Sequence, residues 1–378
     1  MKKLLCYNLF FILLFSVSCN STQQSIQLSD NYTLYIGTFG DTIYKYSVSK
    51  DSLVFTELNK VNVKNPSYLA LSDDKKFIYS VSENGENSAV AAIKNDSTFS
   101  LINLETSVGA GPCFIKFYNN SVFTANYSSG SMNLFPVENK TGKILPTTFF
   151  ANYNELKPNL KEQIAAHAHT TRVLEVKDSN KVNAFLLVTD LGADKIVSYK
   201  IESDSTVVNL KENTPAYFSL FKKYGPRHLD ILQSKNTLYV LGEISGVITA
   251  FKYSEENGNL NLKNMQEIAA DTTGANGSGD IHISPSGRFL YASNRLINDG
   301  IAIFKINEDA TLTKIGYQNT GGHPRNFVIT PDEKYLFVAS RDAQRVEVYE
   351  IDSNTGLLTD IRKNLKFATQ KPTCLIFE

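Results

Sequence analysis

The five histidines of this 378-residue chain fall in four short segments. His167 and His169 stand in Ala165-Ala-His-Ala-His169, His228 in Gly225-Pro-Arg-His228, His282 in Gly279-Asp-Ile-His282, and His323 in Gly322-His-Pro-Arg325. Three of these segments also carry Arg227, Asp280 or Arg325. A second set, Glu83, Glu243, Arg295 and Arg341, follows directly on short runs of β-branched and aromatic residues. Imidazoles and carboxylates move protons, and guanidinium groups hold a carboxylate, a phosphate or a developing oxyanion by forked hydrogen bonds. Gathered in a partly enclosed channel, such groups would shift one another's pKa values toward useful ones.

The elements that must position them repeat along the chain. Seven β-type runs end at Thr38, Ser82, Asn126, Asp190, Gly242, Asn294 and Ser340, at intervals of 44 to 64 residues. A period of that size marks a repeat architecture such as a propeller. Each run is preceded, across a polar turn such as Ser284-Pro-Ser-Gly-Arg288, by a shorter apolar run, and is followed by two more alternating runs. Four antiparallel strands per repeat predict an all-β, seven-bladed β-propeller. The first repeat lacks an A strand, and Pro372-Thr-Cys-Leu-Ile-Phe377 reads as an A strand with nothing after it. Pairing the two closes the ring and removes exposed edges. In an antiparallel blade the start of strand A lies beside the end of strand B, so both sets of polar residues are expected at one mouth of the central channel.

Composition narrows the partners. The chain holds 38 basic and 38 acidic residues and no basic run that would track a phosphate backbone, which argues against nucleic acid. Residues 1–18 read as a secretory signal, a charged start followed by a short apolar segment. Ser16-Val-Ser-Cys19 resembles the lipobox of bacterial lipoproteins, which implies lipidation of Cys19 and a tether over residues 19–31. An exported, bacterial cell-envelope protein touching the membrane only through a lipid anchor is expected, with one folded domain over 32–378. Cys113 and Cys374 sit at A-strand starts in blades that are not neighbours, so no disulfide and no nucleophile is expected. His167 and His169 lack further ligands of obvious type, and neither metal nor cofactor is expected.

Gly111-Pro-Cys, Thr124-Ala-Asn-Tyr-Ser-Ser-Gly-Ser131, His167-Ala-His169 with Thr189-Asp-Leu-Gly-Ala-Asp194, Gly225-Pro-Arg-His228, Ile281-His-Ile-Ser-Pro-Ser-Gly-Arg-Phe-Leu-Tyr-Ala-Ser-Asn-Arg295 and Pro324-Arg325 resemble the seven-bladed lactonase family. That family includes propeller-type 6-phosphogluconolactonases and fungal muconate-lactonising enzymes. The resemblance implies a catalytic set of His169, Arg227, Glu243 and Arg295. Lactone hydrolysis would use His169 as general base, with Glu243 orienting it or serving as the acid, and Arg227 and Arg295 holding the oxyanion or a substrate anion. His167, His228, Asp280, His282, Arg325 and Arg341 are expected to bind substrate, although His167, His282 and His323 also suit structural hydrogen bonding. Two positions depart from the family pattern: Asp280 replaces a Glu, and Asn326 replaces a His.

The expected partner is a small-molecule sugar lactone, unphosphorylated if the protein is exported. A non-catalytic binding propeller and a muconate-type cycloisomerase are the alternatives. The stretch between Leu145 and Ala165 is expected at the same end, as a lid.

Overall fold

In the computed structural model, which describes residues 30–156, 163–178, 181–203, 208–367 and 370–378, every one of the seven runs is a strand that ends at the residue expected for it. The leader, Cys19 and most of the tether lie outside the described residues. Seven sheets of four strands make the blades of a propeller. Strands are lettered A to D from the axis outward. Blade 1 comprises residues 31–62 and 372–377, blade 2 residues 69–106, blade 3 residues 112–152, blade 4 residues 168–219, blade 5 residues 226–269, blade 6 residues 278–319 and blade 7 residues 324–366. The closing strand Pro372–Phe377 pairs antiparallel with Asn31–Thr38, from Leu34 opposite Phe377 to Thr38 opposite Pro372.

The B strands explain why the ring holds. Thr237–Gly242 is buried along its whole length, as are its counterparts in blades 2, 3 and 6. Because side chains alternate between sheet faces, Leu238 and Val240 pack against blade 4 while Tyr239 and Leu241 pack against blade 6. The same alternation around the ring gives seven apolar clusters, one at each contact between neighbouring blades. Burying one Leu, Val or Phe side chain is worth about 1.5–3 kcal/mol. Outer strands such as Phe55–Asn62 are mostly exposed.

The expectation of a lid between Leu145 and Ala165 is corrected in part. Phe149–Asn152 is the outer strand of blade 3 and pairs with Ser131 to Leu134. Phe149 and Ala151 pack on the cluster between blades 3 and 4, so apolar burial draws this stretch into the sheet. Residues 157–162 lie outside the described residues.

Candidate active site

Two symmetric positions build the mouth. The first is the residue after each B strand: Phe39, Glu83, Tyr127, Leu191, Glu243, Arg295 and Arg341 in blades 1 to 7. Each backbone N–H donates to a carbonyl just ahead of the same blade's strand A, at 2.7 to 3.1 Å. The second is a β-bulge near the start of strand A. Pairing slips by one residue at Ala168/Thr170, Pro226/His228 and Pro324/Asn326, which leaves His169, Arg227 and Arg325 as the extra residues. A bulge re-aims side chains that strict alternation would send elsewhere. Arg227 thereby meets Glu243 at the mouth, while His228 beside it faces the channel axis below. The turn into the bulge needs a left-handed residue, and Gly225 at φ +62 supplies it in blade 5.

Charge is concentrated around Glu243. Its Oε2 lies 2.8 Å from Arg227 Nε and 3.1 Å from an Arg295 Nη. The guanidinium groups are buried, at 2% and 4% exposure, and are tied down by backbone: Arg227 donates to the Gly279 carbonyl, Arg295 to those of Gly277 and Ser278. The carboxylate is the accessible member of the trio, with 24% of its side chain exposed. Burial would raise its pKa, but Arg295, Arg227 and Arg325 outweigh burial and hold it below the usual carboxylate range. Burial, then repulsion from Arg227, lowers Arg295 to about 9 in spite of Glu243. Arg325 lies over the Phe39 ring at 4.8 Å, and Arg341 lies near the same ring at 5.9 Å. Arg341 is forked onto Asp342 at 2.8 and 3.0 Å. Three guanidinium groups share the field of Glu243, and Glu83 also acts on Arg325. The surplus is positive and suits a small anion or a developing oxyanion.

His169 stands next to this cluster. Its ring meets Tyr127 edge-on at 5.7 Å and His228 at 5.1 Å, and its Nδ1 is buried with no hydrogen-bond partner among the described residues. Burial, reinforced by Arg227 and His228, holds its pKa well below 6.5. The imidazole is therefore neutral at physiological pH and able to accept a proton. No hydrogen bond joins it to Glu243 among the described contacts. His167 stacks on Tyr127 at 4.4 Å, with its Nδ1 2.9 Å from the Tyr127 carbonyl oxygen. The two histidines thus clasp one tyrosine. Among the described residues no group of three His, Cys, Asp or Glu is arranged to hold a metal. Tyr127 was not singled out from sequence; its signal is its place after Asn126, the counterpart of Glu243 after Gly242.

Three expected substrate ligands are not at the mouth. His228 Nδ1 lies 2.6 Å from Asp280 Oδ1, and His282 Nε2 lies 3.0 Å from Asp280 Oδ2. This trio, with His228 and Asp280 buried and His282 partly exposed, sits beneath the arginines, linked to them by a 3.2 Å contact from Arg227 Nη1 to His228 Nε2. The reason is directional: His282 is the fifth residue of Ser278–Ile283, beyond the bulge and further down the channel. Asn326, which stands where the family pattern has His, donates its amide to Asp280 and accepts the Leu375 N–H. His323 is a strut, 3.3 Å from Arg295 and 3.1 Å from Arg341.

A seven-bladed ring with buried arginines converging on one accessible carboxylate defines a small-molecule site on a rigid scaffold. The chain belongs to the family described as Lactonase, 7-bladed beta-propeller, whose model matches residues 33–377. It is 32% identical to a 6-phosphogluconolactonase of Formosa agariphila over 88% of this chain and 96% of that one. The crystal structure of a candidate 6-phosphogluconolactonase from Bacteroides fragilis matches with a TM-score of 0.84 and 39% identity, over 93% of this chain and 98% of its own. The periplasmic gluconolactonase of Pseudomonas aeruginosa shares the fold, with a TM-score of 0.81 at 24% identity, over 92% of this chain and 99% of its own.

Proposed function

We propose that this protein hydrolyses a sugar lactone at the mouth built by His169, Arg227, Glu243 and Arg295. The observation that carries the reading is a buried imidazole with an unpartnered Nδ1 beside guanidinium groups whose charge one carboxylate only partly balances. Relatives named 6-phosphogluconolactonase support the substrate class.

In this reading His169 takes a proton from a water as its oxygen attacks the lactone carbonyl carbon. Negative charge moves onto the carbonyl oxygen, where Arg295 and Arg227 offset it. The tetrahedral intermediate collapses with cleavage of the bond to the ring oxygen. The His169 imidazolium returns its proton to that oxygen, and the open aldonic acid leaves, giving up its carboxyl proton to solvent as the aldonate. Glu243, held ionised, is unsuited to be the acid; it fixes the two guanidinium groups. Arg325 binds a substrate anion or hydroxyl groups.

We place the protein in the cell envelope through lipidated Cys19, and accordingly favour an unphosphorylated aldonolactone over a phosphorylated one. The test is a pH-stat assay of protein lacking residues 1–18, with glucono-1,5-lactone and its 6-phosphate. Acid release above the spontaneous rate, reduced at least about tenfold by His169→Ala, is expected. Traces that overlay the uncatalysed rate would move a binding role to first place.

A further inference from the structure

Below the mouth, the channel holds a second group of charged side chains. Register aligns one position of every A strand: Lys116 faces Phe123, Arg172 faces Leu187, Asp230 faces Tyr239 and His282 faces Tyr291, each partner lying three residues before its B-strand end. The same position in blades 7, 1 and 2 holds Val328, Ile376 and Ala70. All seven are partly exposed, and each follows a buried residue, so they face the channel. A cavity of about 420 Å³ lies there, and six of the seven line it. It is roofed by Tyr68 and Phe114, whose rings pack at 4.2 Å and both meet His228 edge-on. This aromatic layer separates it from the arginine mouth.

Its wall is divided. Blades 3 to 6 contribute charge, and blades 7, 1 and 2 contribute an apolar arc. The charges do not cancel. Arg172 is met by Asp230 at 3.5 Å and donates to the Leu229 carbonyl. His282 is met by Asp280 at 3.0 Å. Lys116 has no hydrogen bond or ion pair among the described contacts; of the two acids in its field, Asp230 is engaged by Arg172, and Asp73 is exposed in the Ser72 to Lys76 turn. A half-buried, unpaired ammonium is poorly solvated, and an organic anion would supply both its hydrogen bond and its counter-charge. One unmatched cation calls for one negative charge, and the facing apolar arc calls for a non-polar body.

We infer that this lower cavity binds a small organic monocarboxylate, with its carboxylate on Lys116 and its apolar body against Val328, Ile376 and Ala70. The site is distinct from the mouth and uses none of its residues.

The test is calorimetric titration of the folded domain with benzoate, with benzyl alcohol as the uncharged control. Benzoate is expected to bind at one site and benzyl alcohol at least about tenfold more weakly, as loss of a charge-assisted hydrogen bond implies. Lys116→Gln should weaken benzoate by a similar factor without lowering the melting temperature, since Lys116 makes no bond among the described contacts and its ammonium is poorly solvated. Arg325→Gln, at the mouth, should leave benzoate binding intact. Absence of benzoate binding, equal binding by Lys116→Gln, or loss of binding in Arg325→Gln would each overturn the inference, the last by assigning benzoate to the mouth.

Discussion

Arg227 Nε lies 2.8 Å from Glu243 Oε2 across the neck of one hairpin, with the guanidinium 2% exposed and the carboxylate open to the mouth. The pair is asymmetric: the cation is locked by backbone, and the anion is the member a ligand reaches. At an effective dielectric constant of about 20, a unit charge roughly 4 Å away is worth about 4 kcal/mol. Glu243→Gln should therefore tighten inorganic phosphate binding, because Arg227 and Arg295 lose the carboxylate that pairs with both. It should also lower the melting temperature, since it leaves buried cations unpaired. Calorimetry and thermal melts check both; unchanged phosphate affinity would show that Glu243 does not balance this cluster.

Three histidines make stability depend on pH. Burial first, then neighbouring cations, lowers His169 well below 6.5, His228 to about 4 and His323 to about 3. Their contribution is whole above the unfolded value near 6.5 and declines as pH falls from there toward the folded values. His282 acts oppositely: burial disfavours its charge, but Asp280 outweighs burial and raises it, so its contribution is whole below about 6.5 and is lost as pH rises through its raised value. Asp190, which burial raises to about 6, also acts oppositely, its unfavourable contribution being relieved as pH falls through that value. The three outnumber these two, and the melting temperature should fall between pH 7 and pH 5. If His169 is the base, kcat/KM should stay level over that range where the protein remains folded. An acid limb near 6.5 would point to a different base.

Arg325 is the mouth guanidinium with no hydrogen bond or ion pair among the described contacts, held over Phe39. Arg325→Gln should raise KM with kcat nearly unchanged, and the rise should be larger for a phosphorylated lactone than for glucono-1,5-lactone. An equal fall in kcat and kcat/KM would instead assign Arg325 to the transition state.

Ring closure rests on the last strand. Leu375 is 2% exposed and packs in the cluster between blades 1 and 7. Leu375→Ala should cost about 2–5 kcal/mol, the range for buried Leu truncations, read as a lower urea midpoint. A midpoint matching wild type would show that blade 1 holds without tight closure.

How far the sequence carried the fold follows from what a strand pattern encodes. Runs such as Phe289–Asn294 are bounded by turn residues and rich in aromatic and other apolar side chains. They are buried on both faces, so their length and ends are visible locally, and all seven B-strand ends were legible. The charged residue after four of the B strands, Glu83, Glu243, Arg295 and Arg341, was legible from the run before it, whereas Phe39, Tyr127 and Leu191 at the same position carried no such signal. The closing strand was readable from a missing A strand at one end and a surplus one at the other.

The direction of A-strand side chains was not readable. A bulge adds one residue without a fixed residue type, so nothing local distinguished His169, Arg227 and Arg325, which it turns toward the mouth, from His282, which lies lower in the channel. Nor could linear order show that Tyr127 parts His167 from His169, or that Lys116, Arg172, Asp230 and His282 share one level of the channel. By itself the sequence determined the repeat, the strand ends and the residue types available for chemistry, because these depend on period and composition. Only the tertiary structure decided which groups meet and in what charge state, because register slips and fields from other blades act between residues far apart in the chain.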